Sequence, residues 1–178
     1  MHKDYTEVLF TEEQIASKVK ELGKQITKDF NGNSIIAVGI LKGAVVFYSD
    51  LIRNIDLDVK LDFIFASSYG DSTVTSGRVN IQKDMDNDIE GKHVLIIEDI
   101  ADTGVTLSNL IEVLKSRKPA SIKVCCLLDK PSRRTTEFNP DYIGFTIPDK
   151  FVIGYGLDYA EKYRNLPDIG VLKPEIYE

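Results

Sequence analysis

Three short apolar runs, at 34–40, 93–97 and 122–128, recur along the chain with helix-period segments between them. A strand that is apolar at nearly every position has to be buried on both faces. Helices whose apolar residues recur every three to four positions can supply the cover. The alternation predicts an α/β fold, a mostly parallel twisted sheet flanked by helices. Thr11-Glu12-Glu13-Gln14 has the form of a capping box. The helix it opens places Ile15, Val19, Leu22, Ile26 and Phe30 on one face before Asn31-Gly32-Asn33 stops it. A second helix is expected from just after Lys42-Gly43 to about residue 53. A third, from about 106, carries Leu107, Leu110, Ile111 and Leu114 and stops before Pro119. Residues 58–67 alternate, which predicts a half-buried strand with Val59, Leu61, Phe63 and Phe65 on one face. The stretch 67–77 is polar and reads as a mobile loop; 78–82, 142–145 and 151–155 are further short strand candidates.

Composition narrows the function classes. A length of 178 residues fits one domain with a sizeable core. The chain has 22 Lys+Arg against 28 Asp+Glu, a formal charge of −6, so nonspecific binding to a phosphate backbone is disfavoured and no nucleic-acid partner is expected. No apolar run approaches the ~18–20 residues of a membrane span, and Met1-His2-Lys3-Asp4 lacks the layout of a signal peptide. Cys125 and Cys126 are adjacent in an apolar run, where neighbouring side chains point to opposite faces. They are expected to be two reduced, packed thiols of a cytoplasmic protein.

In parallel sheets ligands bind beyond the carboxyl ends of the strands. There the sequence is most informative: Val94-Leu95-Ile96-Ile97-Glu98-Asp99-Ile100-Ala101-Asp102-Thr103-Gly104-Val105-Thr106. The run is expected to be a buried strand ending in two adjacent acids, then a short turn with Gly104, then a helix. Free amides at the helix start, with the hydroxyls of Thr103 and Thr106, form a phosphate cradle. Acids at a strand end suit the hydroxyls of a sugar. Phosphate and sugar hydroxyls together describe a ribose phosphate. The competing reading is structural, with Asp102 or Thr103 capping the helix and the Glu-Asp pair solvated.

This string resembles the phosphoribosyl-pyrophosphate signature of the type I phosphoribosyltransferases. Ile40-Leu41-Lys42-Gly43, Ser68-Tyr69-Gly70, Leu128-Asp129-Lys130, the stretch from Asp149-Lys150-Phe151-Val152 to Gly156-Leu157-Asp158-Tyr159, and Tyr163-Arg164-Asn165-Leu166-Pro167 follow in family order. They narrow the resemblance to the hypoxanthine-guanine phosphoribosyltransferases. The resemblance implies a single domain over residues 1–178, with a core at about 30–148. It also implies a small hood from the chain-terminal segments, at about 1–15 and 149–178. The implied reaction is purine salvage, the Mg²⁺-dependent transfer of a 5-phosphoribosyl group from phosphoribosyl pyrophosphate to N9 of hypoxanthine or guanine. The products are IMP or GMP and pyrophosphate.

The same resemblance implies roles residue by residue. Asp102 is the acid/base for the purine proton. Asp102, Thr103, Gly104, Val105, Thr106 and Leu107 cradle the 5′-phosphate, and Glu98 and Asp99 meet the ribose hydroxyls and their shared Mg²⁺. Lys130 donates to the purine 6-oxo group, Phe151 stacks on the ring, and the Val152 backbone reads its pyrimidine edge. Asp158 lies with the purine-binding residues and holds a second Mg²⁺. Lys42 and Gly43, across a cis peptide in the family, and Arg164 hold pyrophosphate, while Ser68 and Tyr69 tip a closing loop. Homodimers or homotetramers are implied as well. Ala101 stands where the family more often has a larger aliphatic residue.

Other motifs fail on inspection. Asp84-Met85-Asp86-Asn87-Asp88 begins like a calcium loop, but Ile89 and Leu95 stand where glycine and glutamate are required, so a solvated turn is expected. Gly154-Tyr155-Gly156 lacks the third glycine of a dinucleotide fingerprint. Two readings stay open beside purine salvage. One is a phosphoribosyltransferase for another base, such as xanthine; the other is a nucleotide-sensing regulator on the same fold. The candidate residues include four acids (Glu98, Asp99, Asp102, Asp158) against three bases (Lys42, Lys130, Arg164), which predicts a phosphate substrate that arrives with its metal.

Overall fold

The computed structural model describes residues 2–68 and 79–177. Helix α1 (Glu12–Phe30) starts where the capping box predicts. The Thr11 side chain accepts from the Gln14 N–H, and the Gln14 side chain accepts from the Thr11 N–H at 2.9 Å. Its buried residues are the five expected ones together with Gly23, and Asn31 ends it in the left-handed conformation.

The central sheet has six strands, β2 (Ile35–Leu41), β3 (Val59–Ser68), β4 (Val79–Lys83), β5 (His93–Ala101), β6 (Ser121–Asp129) and β7 (Tyr142–Thr146). Their order is β4-β3-β2-β5-β6-β7; only β4 runs antiparallel to its neighbour, and every other pairing is parallel. Helices α1 and α2 (Val45–Ile52) cover one face and α3 (Val105–Lys115) the other, each over its own apolar cluster. Cys125 belongs to the first cluster and Cys126 to the second; both are free thiols. A second sheet of three antiparallel strands, β1 (Tyr5–Phe10), β9 (Ile169–Leu172) and β8 (Val152–Ile153), joins the two ends of the chain, and α4 (Pro174–Tyr177) follows it.

Four expectations need correction. β5 does not end at the two acids; it stays paired with β6 out to Ala101 and Asp129. In β3, Leu61 is exposed while Asp62 is buried. The Asp62 carboxylate accepts backbone N–H groups from Phe63, Asp86 and Asn87 and the Asn87 side-chain amide. Burial alone would raise the Asp62 pKa, but these bonds outweigh it and hold the group below its ordinary value. The turn at 84–88 is therefore pinned from beneath by Asp62 and from the side by Arg117, which is bidentate to Asp84. It is not merely solvated. Finally, the strand expected over 151–155 is only Val152–Ile153, because Gly154 and Tyr155 turn with positive φ. No helix among the described residues is long and apolar enough to cross a membrane.

Candidate functional site

The carboxyl ends of β2 and β5 and the start of α3 converge on one cavity, lined by Leu41, Gly43, Glu98, Asp99, Asp102 and Thr103 among others. Helix α3 begins differently from α1. Its N-cap is Gly104, at φ 82°, and no side chain caps it. A Cβ on Gly104 would also lie 2.4 Å from Thr136 Oγ1, so the residue answers both a left-handed backbone and a close approach. The competing structural reading of Asp102 or Thr103 as an ordinary cap is not what is found. Thr103 Oγ1 only grazes the Val105 N–H at 3.4 Å, and Thr106 and Leu107 of the first turn line the cavity. An uncapped helix start beside a cavity suits an anion.

Glu98 and Asp99 lie in the same cavity. The Asp99 N–H donates to Glu98 Oε1 at 3.0 Å, and the Ile100 N–H donates to Asp99 Oδ1 at 2.7 Å. Burial, followed by the neighbouring Asp99 charge, pushes Glu98 well above the usual carboxylate range, and burial raises Asp99 too. Asp99 Oδ2 occupies the space a Cβ on residue 43 would need: such an atom would come within 1.8 Å, so any side chain there would have to displace the Asp99 carboxylate. The Leu41–Lys42 peptide just before it is cis.

Asp102 stands at the boundary of two cavities. With Asp99 and Ile100 it lines the first, and the same three residues line a second with Lys130, Arg133, Phe151, Val152, Leu157 and Asp158. Asp102 Oδ1 accepts no aligned hydrogen bond; Arg133 Nε sits 3.1 Å away in ion-pair range. Lys130 is buried, and its ammonium donates to the Lys150 carbonyl at 3.0 Å with Asp149 at 3.7 Å. At the rim, Lys42 Nζ lies 2.6 Å from Glu161 Oε2. Arg164 Nη2 lies 3.2 Å from Glu161 Oε1 and 2.9 Å from Asp158 Oδ1. These contacts, from Lys42 first, hold the Glu161 carboxyl below its usual pKa.

Apart from Val105, the expected phosphate, sugar and purine residues, Asp158 included, line one pair of cavities. Lys42 and Arg164 sit at their edge, tied by Glu161, and Arg164 also pairs with Asp158. Ser68 ends β3, and Tyr69 lies outside the described residues. Several residues went unread in the sequence. Arg133 reaches Asp102. Arg134 donates to the Asp102 carbonyl at 3.1 Å and pairs with the buried Asp129, and Glu161 bridges the rim cations. The only signal for the arginines is the basic stretch Lys130-Pro131-Ser132-Arg133-Arg134. Among the described residues, no three acids, histidines or cysteines gather as a complete metal cage. The donor set still fits Mg²⁺. Two adjacent carboxylates, with no cation in ion-pair range among the described residues and the Arg164 charge reaching Asp99 only from farther off, could supply the one or two protein ligands that Mg²⁺ takes when substrate oxygens and water complete its shell.

Comparison with known proteins agrees with this arrangement. The family model for the phosphoribosyl transferase domain matches residues 6–160. The chain is 54% identical over 178 residues to a hypoxanthine-guanine phosphoribosyltransferase of Bacillus subtilis, covering all of this chain and 99% of that one. A solved hypoxanthine phosphoribosyltransferase of Staphylococcus aureus superposes with a TM-score of 0.96 at 54% identity, covering 100% of this chain and 97% of the other. A hypoxanthine-guanine phosphoribosyltransferase of Bacillus anthracis gives 0.89 at 48% identity, covering 95% and 99%.

Proposed function

The chain belongs to the phosphoribosyltransferase domain family, and from that premise we propose that it salvages purines by moving a 5-phosphoribosyl group from phosphoribosyl pyrophosphate to N9 of hypoxanthine or guanine. The observation that carries this reading is the shared wall. Asp99, Ile100 and Asp102 line both the cavity under the uncapped helix start and the pocket that holds Lys130 and Phe151. Two substrates, one a sugar phosphate and one a flat base, meet at such a wall, with Asp102 between them.

In this reading the first-turn amides of α3 bind the 5′-phosphate and orient the sugar. Glu98 and Asp99 hold the ribose hydroxyls and would hold Mg²⁺, which when bound neutralises the departing pyrophosphate. Lys42, the Gly43 backbone and Arg164 bind the pyrophosphate, and Asp158 would hold a second ion once Arg164 turns to the substrate. The Lys130 ammonium, already donating to one carbonyl, donates to the purine 6-oxo group; a base with an amino group at that position offers it no acceptor. Phe151 stacks on the base and the Val152 backbone reads its edge. Asp102 takes the proton from the imidazole ring of the base as the sugar–nitrogen bond forms, and returns it in reverse. The same reading makes the protein a cytoplasmic homodimer or homotetramer.

The test incubates the protein with phosphoribosyl pyrophosphate, Mg²⁺ and a panel of bases, and measures nucleotide and pyrophosphate. Turnover with hypoxanthine and guanine, and none with adenine, is expected. No turnover with either 6-oxopurine overturns the reading.

A further inference from the structure

Phe151 is an odd platform for a base. The residue is 38% exposed, and it precedes a two-residue strand instead of sitting inside one. An exposed phenyl held only by its own backbone samples a broad χ2 range, and ordering it on binding costs affinity. Here the ring is held from behind. Tyr177 of α4 stacks on it, with centroids 4.8 Å apart and planes at 21°. Tyr159 meets the edges of both, at 5.7 Å and 86° from Phe151 and at 6.5 Å and 65° from Tyr177. Phe151 lines the pocket with Lys130, Val152 and Leu157, whereas neither tyrosine does. The stacked partner therefore lies outside the pocket that Phe151 lines.

The backing is itself anchored. The Leu172 N–H donates to the Phe151 carbonyl at 2.9 Å, so β9 holds the residue by its backbone just before the chain enters α4. The Ile176 N–H donates to the Lys173 carbonyl at 3.1 Å, closing the turn. Ile176, Tyr177 and Tyr159 then pack against the cluster of Tyr5, Ile153 and Leu172.

We propose that Tyr177 is a positioning residue for the base: it fixes the plane of Phe151 from outside the pocket, so that the purine meets a preformed surface. This rests on the reading of Phe151 as the purine platform. The stack contributes to base binding and not to the sugar or pyrophosphate, so its loss should appear in one Michaelis constant only.

The experiment uses the full chain with Tyr177→Ala and Tyr177→Phe. Tyr177→Ala should raise the KM for hypoxanthine about three- to tenfold, the range set by one stacked aromatic pair. The dissociation constant for IMP, measured by calorimetry, should rise equally. The kcat and the KM for phosphoribosyl pyrophosphate should stay within about twofold of wild type. Tyr177→Phe, which keeps the stacked ring, should keep wild-type values. In a Phe151→Leu background, Tyr177→Ala should add nothing. Unchanged constants, tighter IMP binding, an equal rise in both Michaelis constants, or the same loss in the Phe151→Leu background would each overturn the proposal. Failure of the proposed function would show instead as a wild-type chain without turnover.

Discussion

On the floor of the site Glu98 and Asp99 stand side by side without a lysine or arginine in ion-pair range among the described residues. On the rim, Lys42 and Arg164 sit within 3.2 Å of carboxylates belonging to Glu161 and Asp158. The floor is acid without a direct ion pair, with the Arg164 charge acting on Asp99 only from beyond that range, and the rim is base already neutralised. A pyrophosphate entering this site would need a cation brought to the floor, and would have to exchange with the protein's own carboxylates at the rim. The difference follows from solvent. Removing charge from water is costly on the floor, where burial raises both pKa values, while at the rim the exposed Lys42–Glu161 pair trades partners at little cost and the half-buried Arg164–Asp158 pair is held more firmly.

Asp102 lines both cavities beside the floor and should give the largest effect. Asp102→Ala should lower kcat by about 10²–10⁴ with little change in either KM, because proton transfer is felt in the transition state. Equal losses in KM and kcat, read from steady-state rates, would remove it from that role.

Next comes the ion pair behind the floor. Arg134→Met leaves Asp129 buried and unpaired, and should cost about 3–5 kcal/mol in denaturant unfolding. A cost near zero would mean that the floor is as tolerant as the rim, and the contrast would collapse.

Relieving the floor itself should act the other way. The double variant Glu98→Gln/Asp99→Asn should be more stable without metal by about 1 kcal/mol or more, the equivalent of one pKa unit of relieved repulsion and desolvation. It should also lose the rise in Tm that Mg²⁺ and pyrophosphate together give the wild type. Thermal melts with and without both additives check this.

The smallest effect belongs to the rim. Glu161→Gln keeps the backbone N–H that caps Asp158 but removes the anion shared by Lys42 and Arg164. Pyrophosphate binding with Mg²⁺ present, measured by calorimetry, should tighten by about two- to fivefold, as exposed charge pairs allow. Weaker binding would show that Glu161 organises the two cations and does not compete with pyrophosphate for them.

Much of this was legible residue by residue. Ile15, Val19, Leu22, Ile26 and Phe30 had to share a face, and Thr11 and Gln14 had to cap it, because helix periodicity links neighbours in the chain. The strand–turn–helix at 93–107 was legible for the same reason, and the family was legible by resemblance. The reach of β5 to Ala101 was not, since it depends on β6 running alongside. Nor was the burial of Asp62, whose partners Asp86 and Asn87 come from a turn beyond β4. The fate of Leu61 went unread because alternation tells which residues share a face and not whether anything covers it.

By itself the sequence determined the element types from α1 to β7, the two-sided central strands and the Gly104 turn into α3. All of these are set by residues a few positions apart. Only the tertiary structure decided that Asp102 borders two cavities, that Arg134 backs it, that Glu161 ties Lys42 to Arg164, and that Tyr177 lies behind Phe151. The second sheet joins strands from the two ends of the chain, with Tyr5 paired to Leu172. Contacts of that separation carry no local pattern; they exist once the whole chain has packed.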